Sequence, residues 1–245
     1  MSTIKITRSD GNETRQKLKV VAQRLFALHG VDSISVKDIV AEAGQKNNAS
    51  LHYHFGSKEA LIGELLIDGA KEVDALRQAM LDEMAAKGGP RSVRDVLDAL
   101  IRPVNQLTEG DAHQSTYIRF LSNLQMNHRD LVRNYLGDQW NVGYRRCLDH
   151  LRHLLADIPQ PLLEQRMSLI GIYANAVFAA KEAAQSAGQT PNRFWTPAHT
   201  LENIVDTLQA VLECKPSEAT LATLAMLGSS APAGKNEAGV QEGFH

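Results

Sequence analysis

Leu18, Val21, Ala22 and Leu25 recur at three- and four-residue spacing, which places them on one stripe of a helix predicted over residues 13–29, with Gly30 as its stop. Residues 1–12 read as a flexible arm. Ser35 opens the next helix. With Asp38 three positions on, it makes a capping box, and Val36, Ile39, Val40 and Ala43 supply an apolar face before Gly44 ends the helix. Residues 45–47 form a turn in which Asn47 is placed to cap. A third, short helix over residues 48–55 carries Leu51 and Phe55 one turn apart on its inner side. Gly56 and Ser57 break the chain again, and a long fourth helix over residues 58–86 follows on Leu61, Leu65, Val73, Leu76 and Met80.

Gly88-Gly89-Pro90 is a boundary. Beyond it the pattern predicts helices over residues 92–107, 114–125, 130–156, 161–187 and 197–213. Pro103 is expected to kink or split the first of these. The third carries Trp140, Tyr144, Leu148, Leu151 and Leu155 on one face. Thr196 is expected to cap the last, with Pro197 as its first residue. One short helix over residues 218–227 precedes an end rich in Gly, Ser and Ala that reads as disordered. No alternating runs of Val, Ile and Thr bounded by hairpin turns interrupt this pattern, so the expected class is all-α.

Composition changes this picture little. The hydrophobic and charged fractions, 43% and 22%, are those of an ordinary globular chain. Charge is distributed unevenly: residues 1–60 hold nine Lys/Arg against six Asp/Glu, and the rest of the 245 residues hold 17 against 22. A mildly basic head precedes an acidic body. Two distant cysteines, Cys147 and Cys214, and a polar N-terminus without a signal core suggest a reduced, cytoplasmic setting. The longest charge-free apolar stretch, residues 167–180, is too short at about 1.5 Å per residue to span a bilayer, so no membrane role is expected. Phosphate-binding glycine loops, nucleophile elbows and His-Glu-x-x-His helices do not occur, so the expectation is not an enzyme and no cofactor. Cys147, His150 and His153 share one helix, but the outer two are well separated around it and no partner pair is evident elsewhere. No metal site is expected.

The chemistry sits in residues 35–61, SVKDIVAEAGQKNNASLHYHFGSKEAL, which read as helix, turn and helix. The major groove of DNA admits one α-helix. A helix that reads it must bury one side and present polar groups on the other. With Leu51 and Phe55 inward, Asn48, Ser50, His52 and Tyr53 face outward. Asn can pair with adenine, and Ser, His and Tyr also bond phosphate oxygens. Lys58, in the first turn of the fourth helix, and Thr14 and Arg15, opening the first, are placed for phosphate contact at helix N-termini. Lys37, Lys46 and Asn47 flank the reader.

Residues 14–65 resemble the DNA-binding region of the TetR family of transcriptional regulators. The resemblance rests on RLFALHG, SVKDIVAEAG and LHYHFGSKEAL. In the run 51–55 the tyrosine stands one position later than the family's usual Leu-Tyr-x-His-Phe, and the turn before Leu51 is one residue longer. The resemblance implies a three-helix DNA-binding domain at residues 13–60. A larger helical ligand-binding and dimerisation domain would cover residues 61–215, and residues 216–245 would be a largely disordered tail. It further implies a homodimer on a palindromic double-stranded DNA operator. The dimer would pair through the last two long helices and be released by a small, hydrophobic effector. Residues 167–187 and 201–212 are apolar over more of their surface than one subunit obviously needs, which suits a symmetric interface or a core helix pair. His113, Tyr117, Phe120, Asn123, Met126, Trp140, Tyr144 and Tyr173 are the candidate ligand contacts, mixing apolar bulk with polar tips. Arg102 and Arg119 are candidates to pair with an acidic ligand. The rival reading is a DNA-binding protein without a small-molecule effector, architectural or partner-controlled.

Overall fold

The computed structural model describes residues 8–109, 116–137, 139–186 and 193–229. Among these residues all regular structure is helical: α1 (Arg8–His29), α2 (Val36–Glu42), α3 (Ala49–Phe55), α4 (Lys58–Ala86), α5 (Val93–Thr108), α6 (Tyr117–Asn127), α7 (Arg129–Leu136), α8 (Val142–Leu154), α9 (Gln160–Ser186), α10 (His199–Glu213) and α11 (Glu218–Ser229). The helices α1, α2 and α3 pack on one another, and α1 and α3 also pack on α4. Further along, α4 lies against α5, α7 and α8, so one helix runs from the N-terminal trio into the rest of the molecule. Around α5 lie α8, α9 and α10, while α6 bridges α1 to α9.

Two glycines inside α4 make this packing possible. A Cβ at Gly63 would overlap the ring of Tyr135, and one at Gly69 would overlap the ring of Tyr117. Tyr117 then donates its hydroxyl to the Leu66 carbonyl at 3.0 Å. A glycine costs a helix interior about 1 kcal/mol relative to alanine. Here it admits an aromatic ring against the backbone.

A buried carboxyl fixes the same end of α6. Glu182 on α9 is fully buried and accepts the backbone N–H groups of Ile118 at 3.0 Å and Arg119 at 2.7 Å. These are amides of the first turn of α6, which have no partner within their own helix. Burial pushes the Glu182 carboxyl up to about 7, against the opposing pull of those two N–H bonds.

The helix limits differ from the sequence reading at several points. The first helix starts at Arg8 rather than at residue 13, so residues 8–12 of the expected arm are helical. Pro103 does not split α5, which runs unbroken through it. The helix expected over residues 130–156 is two, α7 and α8, with Gly137 at φ 44 after the first and a turn before Val142. Trp140 lies in that turn rather than on the helix face. Thr196 does not cap α10, which starts at His199. None of the described helices is long and apolar enough to cross a membrane.

Candidate nucleic-acid interface

The residues of the reader fold as their local chemistry dictates. Ser35 and Asp38 close the capping box: the Asp38 N–H donates to Ser35 Oγ at 3.2 Å, and the Ser35 N–H to Asp38 Oδ2 at 2.8 Å. The Ser35 hydroxyl also donates to Asp38 Oδ2 at 2.6 Å, and this bond, with that from the Ser35 N–H, holds the Asp38 carboxyl below its usual range. Ile39, Val40 and Ala43 are buried. The chain then turns through Gly44 at φ 68, a left-handed conformation that glycine adopts without strain. Asn47 caps as expected, its Oδ1 accepting the Ala49 N–H at 2.9 Å. The next helix, α3, is anchored by fully buried Leu51 and half-buried Phe55.

On its outer side, Asn48, Ala49, His52 and Tyr53 are exposed, and Ser50 is half-buried. Asn48 and His52 are one turn apart, as are Ala49 and Tyr53. The Tyr53 side of this surface is open to solvent, with the residue 84% exposed. His52 Nδ1 lies 2.9 Å from the Gly56 carbonyl oxygen. A carbonyl only accepts, so Nδ1 carries the proton and Nε2 points away from that bond. His54 is half-buried, and burial, aided by the nearby Arg15 cation, lowers its pKa.

The cations divide into two groups. Lys37 and Lys46 are exposed beside α3. Lys58 and Arg15 are not displayed as the sequence suggested. Lys58 turns inward, donating to the carbonyls of Val31 at 2.5 Å and Ile34 at 2.6 Å. Those carbonyls sit in the loop between α1 and α2 and draw the ammonium from solvent. Arg15 is half-buried, its guanidinium 4.8 Å over the Phe55 ring and paired with Glu64 of α4. Thr14 is half-buried nearby. Two residues missed in the sequence share the outer surface. Ala49 lies one turn from Tyr53, a spacing that was readable, and exposed Lys17 sits with its ammonium beside Gly44.

The candidate ligand residues do not converge on one cavity. Tyr117 and Phe120 are buried in the core, with Phe120 stacked on Phe26 of α1 at 6.0 Å between ring centroids. Asn123 donates to the carbonyls of Phe26 at 3.3 Å and Ala27 at 3.1 Å, ending α1 rather than lining a pocket. Met126 is 81% exposed. Trp140 is half-buried under the Lys71 ammonium, and half-buried Tyr144 packs against Arg77. Tyr173 is exposed on α9 and bonded through its hydroxyl to Thr207 at 3.0 Å. His113 lies outside the described residues. Arg102 is paired with Asp98 and Glu202, not held open for a ligand. Two clefts occur elsewhere. One of about 400 Å³ lies between Arg152 and Leu163, where α8 passes to α9. The other, of about 220 Å³, lies between α5, α9 and the lead-in to α10.

Comparison with known proteins bears on the same two regions. Residues 20–65 match the model of bacterial regulatory proteins, tetR family, and residues 98–210 match the tetracyclin repressor-like C-terminal domain. The chain is 27% identical over 190 residues to the HTH-type transcriptional regulator AcrR of Shigella flexneri, covering 71% of this chain and 82% of that one. It is 27% identical over 121 residues to the HTH-type transcriptional repressor KstR2 of Mycobacterium tuberculosis, 49% of each chain. The crystal structure of Mycobacterium smegmatis AmtR covers 92% of this chain and 97% of its own, with a TM-score of 0.52 and 20% identity, a likeness of fold.

Proposed function

From the premise that this chain belongs to the TetR family of bacterial regulatory proteins, and is therefore a DNA-binding transcriptional regulator, we propose which residues do the work. The outer side of α3 enters the major groove, with Asn48, Ala49, His52 and Tyr53 toward base edges and Ser50 toward the backbone. Asn suits adenine, the Ala methyl suits thymine, Tyr53 suits either an edge or a phosphate, and His52 Nε2, an acceptor, suits a donor on a base edge. Lys37, Lys46, Asn47 and Lys17 hold the phosphates around it, Thr14 lies at the margin, and Lys58 and Arg15 act by bracing the helices. The observation that carries this reading is the pairing on one short helix of a buried Leu51 with an exposed polar opposite side.

Two copies are needed to read a palindrome. On α9, Leu169, Ile172 and Tyr173 are exposed at helical spacing, 55%, 50% and 38%. Such a stripe is what a symmetric helical interface leaves open in one isolated chain. We place the dimer contact there, with α10 alongside. AcrR and KstR2 are named as regulator and repressor, and repression is the proposed direction here. A small molecule that binds the helical body shifts DNA affinity through α4, which touches both the reader and the body. A coupling of about 1–3 kcal/mol is typical of such linkage. A ligand-controlled protein is the proposed reading over one without an effector, and the clefts near α9 are where a small ligand would sit, at residues other than those the sequence suggested.

Selection from random duplexes with the purified full-length chain tests the reading. It is expected to enrich an imperfect palindrome with half-sites about one helical turn apart, near 34 Å. Recovery of unrelated sequences at low salt contradicts it.

A further inference from the structure

Lys181 of α9 is the one buried cation facing the smaller cleft among its described lining residues. Its ammonium donates to Asn105 Oδ1 at 2.7 Å and to Glu109 Oε1 at 2.9 Å. Asn105 also donates to Glu109 at 3.1 Å. The two charged partners are unequal. The Lys181 side chain is 8% exposed, whereas that of Glu109, at the C-terminal end of α5, is 59% exposed. The rest of the lining mixes Trp195, Pro197, Leu201 and Ile204 with Thr196 and Thr200. The lead-in that carries Trp195 is fixed by Thr200 Oγ1, which donates to the Phe194 carbonyl at 3.0 Å, and by edge contact between Phe194 and Trp195 at 4.6 Å.

We propose that this cleft binds a small organic carboxylate, whose charge replaces that of Glu109 on Lys181 and whose apolar body lies against Trp195 and Leu201. A buried cation must keep a counter-charge, because removing it leaves an uncompensated charge in the interior. Glu109 can leave at small cost, since most of its side chain already meets water. A ligand carboxylate then restores both the ion pair and the Asn105 bond, and the buried charge balance is unchanged. A neutral ligand either leaves the Lys181–Glu109 pair in place or breaks it without replacing the charge, and a cation meets the Lys181 ammonium as a like charge. The volume of about 220 Å³ falls below the roughly 300–1,000 Å³ of drug-sized pockets and suits a single ring or a short branched chain. Only the regulatory consequence of binding rests on the effector reading; the binding itself does not.

Benzoate is the probe, benzamide its neutral counterpart, and binding is followed by titration calorimetry and tryptophan fluorescence on the full chain. Benzoate is expected to bind, and benzamide to bind at least about tenfold more weakly, the scale of one charge-assisted bond. Lys181→Met is expected to reduce benzoate affinity by a similar factor. Glu109→Ala is expected to raise it, because the internal competitor is gone and the Lys181 ammonium is left to the ligand. Equal binding of benzoate and benzamide overturns the proposal, as does undiminished benzoate binding by Lys181→Met, or no benzoate binding by Glu109→Ala. Operator affinity is measured separately with and without benzoate. Binding without a change in DNA affinity removes this cleft from the effector reading and leaves the carboxylate site standing.

Discussion

Phe120, in the first turn of α6, stacks on Phe26, near the end of α1, with ring centroids 6.0 Å apart and both rings fully buried. Asn123 of α6 ends α1 through its last carbonyls one turn further on. Through α6, the helix that carries the exposed apolar stripe is thus joined to the helix trio that carries the reader. Glu182 and Phe120 both hold the first turn of that bridge, and Asn123 its middle.

Phe120→Ala should therefore destabilise the whole chain, not one part of it. A loss of about 3–5 kcal/mol is expected for a buried aromatic in a dense core. Urea unfolding followed by circular dichroism checks it. A single cooperative transition at lower denaturant supports the bridge. A loss under about 1 kcal/mol speaks against close packing there.

Lys58 and Lys37 should behave differently toward DNA although both are basic and close to α3. Lys58 spends two of its three N–H bonds on the Val31 and Ile34 carbonyls. Lys58→Met should lower stability by about 1–3 kcal/mol through those carbonyls and leave the salt dependence of DNA binding unchanged. Lys37→Ala should keep stability and reduce the salt slope by about one. Anisotropy titrations with an operator duplex over a range of salt separate the two.

Glu182 should make stability depend on pH near neutrality. Its pKa is raised by burial to about 7 in the folded chain, from an ordinary 4.5. The folded state then holds a proton that the unfolded state has released. The stabilisation from this group is complete below about pH 4.5 and is lost as pH rises through 7. Glu182→Gln removes the titration. Its stability relative to the parent should rise from about pH 5 to about pH 8, on top of a constant offset from an amide facing the N–H of Ile118 or Arg119. Urea midpoints of both proteins across that range measure it. A parallel pair of curves would place the Glu182 pKa at its ordinary value.

Ile172→Glu should separate the proposed dimer. The residue is 50% exposed, so the single chain should tolerate the charge, while a symmetric contact would bring two carboxylates together. Sedimentation velocity is expected to show dimer for the parent and monomer for the variant. A variant that stays dimeric would move the interface away from this stripe.

Much of the reader was legible in the sequence because its signals are local. Ser35 with Asp38, Gly44, Asn47 and the spacing of Leu51 and Phe55 each act within a few residues, and each appears in the structure in the role expected of it. What escaped depends on distant partners. Nothing near Lys58 says that two carbonyls from the loop after α1 will claim it. Tyr117, Phe120 and Asn123 have the mixed character of ligand contacts, yet Leu66, Phe26 and Ala27 use that same character to join helices. Gly63 and Gly69 were a readable signal: glycines inside a helical pattern often mark close packing, and here they mark where Tyr135 and Tyr117 rest. Gly137 was another, at the break between α7 and α8.

The outer side of α3 as the source of sequence choice is tested most directly by one ratio: affinity for a selected operator over affinity for a scrambled duplex, at fixed salt, for the parent and for the Asn48→Ala, Tyr53→Ala double variant. Base-edge contacts contribute about 1–3 kcal/mol each. The ratio should fall by roughly tenfold or more while affinity for the scrambled duplex and the helical signal stay near the parent's. An unchanged ratio would place base recognition elsewhere on the protein and contradict the account.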